Sequence, residues 1–414
     1  MQAPKPTAVG FGIRPKPLLE RVATLGRSRL GATLLWLAAL LSWAFEILKA
    51  ARSGGGDIYQ IWKGTEAFAA GHPIYFQDGA DMSFLYPPSA VLLLLPLAIL
   101  SFPAAAAVIA VPQAVCISLA GALSLRLAGR FEWWLLPIVV AAASLLLPAR
   151  NSLWLGNVDG LIAALEVLML LLASRRRWIL AALALGLSLA LKPVLLPLLL
   201  IFALRRKWLA LVSGLALPLA ASLIGLLLGR DGLAFATKVV PFLLQGQSGQ
   251  LQDVNISLAG AALMLHAPAG LGLAARALIA LVLAAVLAVR WQTARPPLAE
   301  GIRLAELAGL IMLGVLLTFS YAWAHYILFL LPLLALLGDR SSIARGWPAF
   351  AAAYLLLFPD EALWSHASWV LSQLRLTAGL LLLLAAVTWS VWPSLAVRAA
   401  GFGAKRRPVQ QAAD

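Results

Sequence analysis

The sequence predicts an all-α polytopic membrane protein, a bundle of about 12 transmembrane helices with re-entrant or juxtamembrane helices on its outer face. Three observations carry this expectation. Hydrophobic residues fill 62% of the 414 positions and charged residues only 12%, with a mean hydropathy of +0.91, too apolar for a water-facing surface. Runs of Leu, Ala, Val and Ile, roughly 13 to 22 residues long, recur between short polar stretches, and in a bilayer such isolated runs close their backbone hydrogen bonds only as helices. The cations gather in tight clusters between the apolar runs, as topology signals do.

Residues 1–29 form a basic, proline-rich arm, too long for the charged region of a secretory leader. The first span, 30–48, lacks an Ala-x-Ala cleavage signal behind it and reads as a retained anchor. Residues 49–103 make the first outer loop. Within it, 86–100 opens with Tyr86-Pro87-Pro88 and carries Pro96, which makes it a poor crossing and a better re-entrant or juxtamembrane helix. Further spans are expected at 104–125, 133–149, 158–174, 178–191, 193–204, 208–229, 270–289, 304–319, 325–338, 346–358 and 374–395. Residues 30–395 are then one membrane domain, followed by a basic tail, 396–414. Cys116, the one cysteine, sits in an apolar run, which excludes an intramolecular disulfide and a Cys-based metal cluster.

Charge decides the orientation. The clusters around Lys5–Arg29, Arg126–Arg130, Arg175–Arg177, Arg205–Lys207, Arg290–Arg303, Arg340–Arg345 and Arg398–Arg407 hold 23 of the 32 Lys and Arg residues, against five carboxylates. Nine cations and twelve carboxylates remain for everything else, a strong positive-inside asymmetry with both termini cytoplasmic. All clusters fall on one side only if 86–100 does not cross. The net charge of +15 therefore reports topology rather than nucleic-acid binding.

The outer segments are 49–85, 150–158, 230–255 and 320–325, and there the chemistry is sought. Asp57 follows Gly54-Gly55-Gly56, so flexible backbone lets an acid fold back on the bilayer surface; it is the candidate catalytic base. Lys192 lies in Leu191-Lys192-Pro193, surrounded by apolar chain. An unpaired ammonium at that depth costs about 2.5 to 3.5 kcal/mol, so it meets an anion, either a phosphate or a carboxylate such as Glu166 or Asp159, or snorkels to the surface. His325, with Tyr321 and Trp323 at a span mouth, either contacts phosphate or sugar, positions the acid, or belongs to an interfacial aromatic belt. Asn157, Asp159 and Asn255 stand at helix ends, where capping competes with sugar recognition, and Tyr86 shares its position with two helix-starting prolines. Glu46 is most simply an ion-pair partner of Lys49. Leu233–Leu244 reads as an interfacial helix and Gln245–Gln250 as a flap over the acceptor site. His72 and His266 lack partners at ligand spacing, and Asp360–His366 is a polar outer turn, so no metal and no cofactor are assigned.

Taken in order, Asp57-Ile58-Tyr59, Gly71-His72-Pro73-Ile74-Tyr75, Tyr86-Pro87-Pro88, Gly156-Asn157-Val158-Asp159, Lys192-Pro193, Asn255-Ile256-Ser257 and Ser320-Tyr321-Ala322-Trp323-Ala324-His325 resemble glycosyltransferase family 87 of the GT-C superfamily, the polyprenyl-phosphate-mannose-dependent mannosyltransferase group. One departure stands out: the family usually has Gly-Gln-x-Asn where this chain has Gly156-Asn157-Val158-Asp159. The resemblance implies a GT-C bundle in the bacterial cytoplasmic membrane, with its site facing outward. Its partners would be a polyprenyl-phosphate sugar donor, a glycolipid or glycan acceptor and membrane lipids. The transferred sugar would be mannose, with arabinofuranose or another hexose as alternatives. Asp57 would activate the acceptor hydroxyl. Lys192 would hold the donor phosphate, with Arg150, Arg276 and His325 as further contacts, although Arg276 also suits snorkelling. Tyr59, Tyr86, Asn157, Asp159, Asn255 and Trp323 would meet sugar or acceptor.

The rival reading is a multispan transporter or lipid flippase. It calls for two related halves and charges near the midplane, and the sequence shows no such repeat. The topology is tested by single cysteines: labels at Gly79 and Gly249 should react in intact cells and labels at Arg176 and Arg206 only after permeabilisation. Reaction at Arg176 in intact cells would overturn the placement of 86–100.

Overall fold

The computed structural model describes residue 24 and residues 26–53, 55–75, 84–245, 254–293, 299–358 and 366–404. Most of the basic arm and tail, Asp78 and Asp81, the expected flap beyond Gln245, the turn Asp360–Ser365 and the side chain of His366 lie outside them. Among the described residues every regular element is helical.

The helices run between two ends. α1 (Arg29–Ser53) starts where Arg27 meets Glu132 at 3.0 Å and finishes where Glu46 meets Arg150 at 3.1 Å. The chain stays at this second end through α2 (Gly56–Ala69), α3 (Pro88–Leu94) and the 3-10 helix Leu95–Ile99, then returns along α4 (Phe102–Leu127). α5 (Leu136–Leu145) and α6 (Leu147–Leu155) go out as one pass, α7 (Asp159–Ser174) returns, and α8 (Trp178–Leu191) goes out. The 3-10 helix Pro193–Leu198 with α9 (Leu199–Leu204) returns, and α10 (Trp208–Leu228) leads out to α11 (Val240–Leu244) and α12 (Leu258–Met264). α13 (Ala269–Thr293) returns and α14 (Glu300–Thr318) goes out. The 3-10 helix Ala324–Leu330 with α15 (Leu331–Leu334) returns, α16 (Trp347–Leu357) goes out, and α17 (His366–Ala404) returns. By length and composition six of these described helices, or seven counting the bent pair, can cross a membrane, and shorter apolar helices complete the bundle, in keeping with the polytopic all-helical fold that the hydrophobic runs predict.

The basic clusters do meet at one end. Arg205 pairs with Glu300, Arg290 with Glu306 at 2.7 Å, and Arg130 with Asp339 at 3.6 Å, while Arg290 also donates to the Ser341 carbonyl at 2.7 Å. Glu306 thus belongs with the basic clusters, whereas the charge count from sequence leaves it out. It is buried and also accepts from the Ile343 amide, which stitches α14 to the 339–343 turn.

Residues 86–100 enter and leave at the same end. Ser89 Oγ donates to the Ala190 carbonyl near the close of α8, and Trp62 Nε1 of α2 donates to the Leu100 carbonyl at 2.9 Å. Both hydrogen bonds lie at the end opposite the basic clusters, so this stretch is juxtamembrane. Pro87 and Pro88 start α3 where missing amides cost nothing, and Pro96 opens the 3-10 turn that carries the chain into α4.

Length separates two kinds of pass. α1, α4, α10, α13, α14 and α17 are long and apolar enough to cross a membrane unbroken. The expected straight span 133–149 is instead α5 and α6, bent by 65°. Leu146 is extended there and Pro148 cannot donate to a continuing ladder, so the helix restarts. The passes Trp178–Leu191, Pro193–Leu204 and Ala324–Leu334 are shorter. Two of them gain reach by 3-10 winding, which rises about 2.0 Å per residue against 1.5 Å in an α-helix.

Candidate active site

The end opposite the basic clusters holds the buried polar residues that the topology does not need. Its geometry begins where α2 lands on α6. A Cβ on Gly55 would sit 2.1 Å from the Trp154 carbonyl oxygen, and a Cβ on Gly156 would sit 2.6 Å from Ile58 Cβ. Gly156 also has φ +67°, the left-handed conformation that ends α6. Two glycines thus let the start of α2 lie directly on the end of α6, with fully buried Ile58 as the wedge. Asp57, one residue before Ile58, is thereby set against the Asn157–Asp159 turn.

That turn is internally fixed. Asn157 Oδ1 accepts from the Asp159 amide at 3.0 Å and from Ser152 Oγ at 2.7 Å, which starts α7 and fixes the amide orientation. With the oxygen engaged twice, Nδ2 is left for the Asp57 side. Asp159 opens α7 with a fully buried carboxylate.

Lys192 reaches this carboxylate from the end of α8. Residues that precede a proline avoid the helical region, so Lys192 before Pro193 is extended (φ −157°, ψ 122°) and α8 stops at Leu191. Its ammonium lies 3.2 and 3.0 Å from the two Asp159 oxygens and 4.6 Å from the centroid of the Tyr326 ring, with Tyr86 at 5.8 Å. From the turn after α14, His325 Nε2 lies 3.0 Å from Asp159 Oδ2, its ring stacked with Trp323 and edge-on to Tyr326. One carboxylate therefore gathers a cation and an imidazole from two further passes.

Asp57 sits in α2, outside the membrane passes, and keeps partial access to solvent. Enclosure pushes its carboxyl above the usual carboxylate range. Lys192 and His325 pull it back, neighbouring Asp159 pushes it further up, and the Asn157 side chain favours the charged form. The arrangement offers a proton acceptor within the field of a lysine ammonium. No group of three or more His, Cys, Asp or Glu side chains among the described residues is spaced to hold a metal ion.

The model of glycosyltransferase family 87 matches residues 84–320. An alpha-(1->3)-arabinofuranosyltransferase of Mycobacterium tuberculosis is 31% identical over 397 residues, 92% of this chain and 88% of that protein. The chain belongs to glycosyltransferase family 87. A transferase of the same description from Corynebacterium glutamicum is 28% identical over 90% of both chains, and one from Mycolicibacterium smegmatis is 27% identical over 90% of this chain and 87% of its own. No solved structure matches. The matched region holds Tyr86, Asn157, Asp159 and Lys192, while Asp57 precedes it and His325 follows it.

In this family 87 transferase the remaining sequence candidates are placed differently. Arg150 is buried beside Glu46, which also accepts from Trp154 Nε1 at 3.0 Å. Its charge faces the Glu46 carboxylate within the α1–α6 packing. Glu46 accordingly pairs with Arg150, and the Lys49 ammonium lies 3.9 Å from the Trp154 ring centroid. Arg276 Nε donates to the Thr318 carbonyl, closing the end of α14. The Asn255 amide is taken up by backbone: Oδ1 accepts from Ser257 and Ala322, and Nδ2 donates to Ser320, so it staples the 320–322 turn that delivers His325 instead of facing a sugar. His325 itself is fully buried behind Asp159, in reach of its carboxylate. Tyr59 is exposed and meets Phe102 edge-on, and Trp323 is partly accessible beside His325. Sequence reasoning misses Tyr326, the ring nearest Lys192; its adjacency to His325 is the one signal it leaves.

Gly156→Ala tests the junction. A left-handed alanine costs about 1 to 2 kcal/mol, and its Cβ would displace Ile58 and with it Asp57. Transfer should fall at least tenfold while the purified protein keeps its helical circular dichroism. A Gly156→Ala enzyme of wild-type rate would show that the junction does not set the acid.

Proposed function

We propose that the protein transfers a sugar from a polyprenyl-phosphate donor to a hydroxyl of a glycan or glycolipid acceptor, at the outer face of the bacterial cytoplasmic membrane. The observation that carries this reading is the pairing of an enclosed carboxylate, Asp57, with the Lys192–Asp159–His325 cluster at the end opposite the basic residues. The positive-inside bias supports an outward-facing site at that end.

The reaction is a single displacement. Asp57 takes the proton of the acceptor hydroxyl as its oxygen attacks the anomeric carbon, and the bond from that carbon to the phosphate oxygen breaks. The departing lipid phosphate gains charge, which Lys192 stabilises. Two of the ammonium's contacts go to Asp159, and its side chain keeps 18% exposure through which a phosphate can reach it. Asp159 and His325 act behind it as positioning residues, keeping the ammonium charged and fixed. The carboxylate of Asp159 matches the charge of the lysine that it holds.

The expected mannose gives way to arabinofuranose, because the relatives of this chain are named arabinofuranosyltransferases. One displacement inverts the anomeric carbon, so an α linkage of the kind those names print calls for a β-linked donor. The transporter reading is set aside by the family.

Reconstituted protein given donor and acceptor should release polyprenyl phosphate. Asp57→Asn should retain donor binding while transfer falls by about 10² to 10⁴ fold, the worth of a positioned base; near-native transfer would remove Asp57 from the chemistry. Lys192→Ala should weaken donor use and, because Lys192 lowers the Asp57 pKa, move the acid limb of the kcat/KM profile to higher pH. An unmoved or lowered limb would separate Lys192 from the base.

A further inference from the structure

One cavity of the described structure lies apart from the Asp57 centre. It holds about 730 Å³ and lies along the second half of α2, lined by Lys63, Glu66, His72, Tyr75, Asp231 and Lys238 among others. Resting on the transferase reading above, we propose that this cavity is the acceptor subsite, which binds the sugar units of an uncharged oligosaccharide that lie beyond the reacting hydroxyl.

The volume suits a ligand of several rings. The rim carries two ammonium groups and two carboxylates, with Lys63 and Glu66 paired at 2.9 Å, so the site is balanced in charge and selects against a phosphate. Alternating donors and acceptors are what a polyhydroxylated chain requires, since each hydroxyl gives one hydrogen bond and accepts others. Asp231 is the decisive residue. Its Oδ2 accepts from the Ile74 and Tyr75 amides at 3.0 and 2.7 Å, which closes the turn after α2. Its Oδ1 is buried and has no hydrogen-bond partner among the described residues. A buried carboxylate oxygen left unpaired is costly, and because Asp231 also lines the cavity, a sugar hydroxyl that reaches this oxygen when the side chain turns would remove that cost.

The cavity is tied to the reacting centre in two ways. α2 carries Asp57 at its start and Lys63 and Glu66 further along, and nine residues of helix place Glu66 about 14 Å from Asp57. Tyr75, whose ring lines the cavity, donates its hydroxyl to the Tyr86 carbonyl at 3.0 Å, and the Tyr86 ring borders Lys192. A short oligosaccharide spans this separation and a single sugar does not.

The test uses purified, reconstituted protein with disaccharide, tetrasaccharide and hexasaccharide probes of α-linked arabinofuranose and, separately, of α-linked mannose. Asp231→Asn keeps an oxygen for the Ile74 and Tyr75 amides and turns the inward oxygen into a donor; Lys238→Gln alters the rim without touching that turn. Direct binding of the tetrasaccharide should weaken about tenfold in Asp231→Asn, the worth of one hydrogen bond to a charged group, and also weaken in Lys238→Gln, but persist in Asp57→Asn. In turnover, wild-type KM should fall with acceptor length and the Asp231→Asn values should lie flat across the series. Tetrasaccharide binding that is absent in wild type, or equal in wild type and both cavity variants, would overturn the proposal. A protein that binds the tetrasaccharide in this way yet releases no polyprenyl phosphate would uphold the subsite and overturn the donor assignment instead.

Discussion

The contact between Lys192 and Asp159 organises the functional end of the bundle. A lysine ammonium and a carboxylate taken out of water each lose several kcal/mol of hydration, which only close pairing returns. The pair therefore acts less as glue than as a register mark. It requires the end of α8, the start of α7 and, through His325, the turn after α14 to arrive at one level. Removing either partner strands the other, at a cost of about 3 to 5 kcal/mol.

Around this pair each neighbouring element is fixed by a different local rule. Pro193 halts α8 so that Lys192 can leave the helix axis. Asn157 turns the chain into α7, and Asn255 pins the 320–322 turn from outside the pair. Gly55 and Gly156 allow α2 to settle on α6 closely enough for Asp57 to enter the field of Lys192. The chemistry is thus distributed over five stretches of chain distant in sequence, and each contributes a side chain only because its backbone breaks at the same level.

Much of this was legible in the residues. Hydropathy gave the polytopic helical bundle, and the basic clusters implied that 86–100 stays on one side, because charge and apolar length act locally and independently of packing. Lys192 also announced itself, since an apolar surrounding forces a lysine to find an anion; Asp159 was among the partners that reading left open. Pairings across the bundle were less visible. Arg150 and Glu46 lie on α6 and α1, and nothing in either segment tells that they meet. The fully buried His325 and the backbone-bound Asn255 look from sequence like ligand contacts, because burial and hydrogen-bond saturation are properties of the assembled turn. The break at Leu146, two residues before Pro148, lies inside the apolar run that reads as one span.

The short passes have a consequence for the membrane itself. α8, the Pro193–Leu204 pass and the Ala324–Leu334 pass all adjoin the Lys192 cluster, and fourteen residues of α8 give a rise of about 21 Å against a hydrocarbon core of about 30 Å. Lipids accommodate such a mismatch by thinning around the protein. Leu180, Leu183 and Leu187 of α8 are open to such lipid; under the transferase reading, a bilayer thinned beside this helix would bring a lipid head group nearer the level of Lys192 than the surrounding surface does.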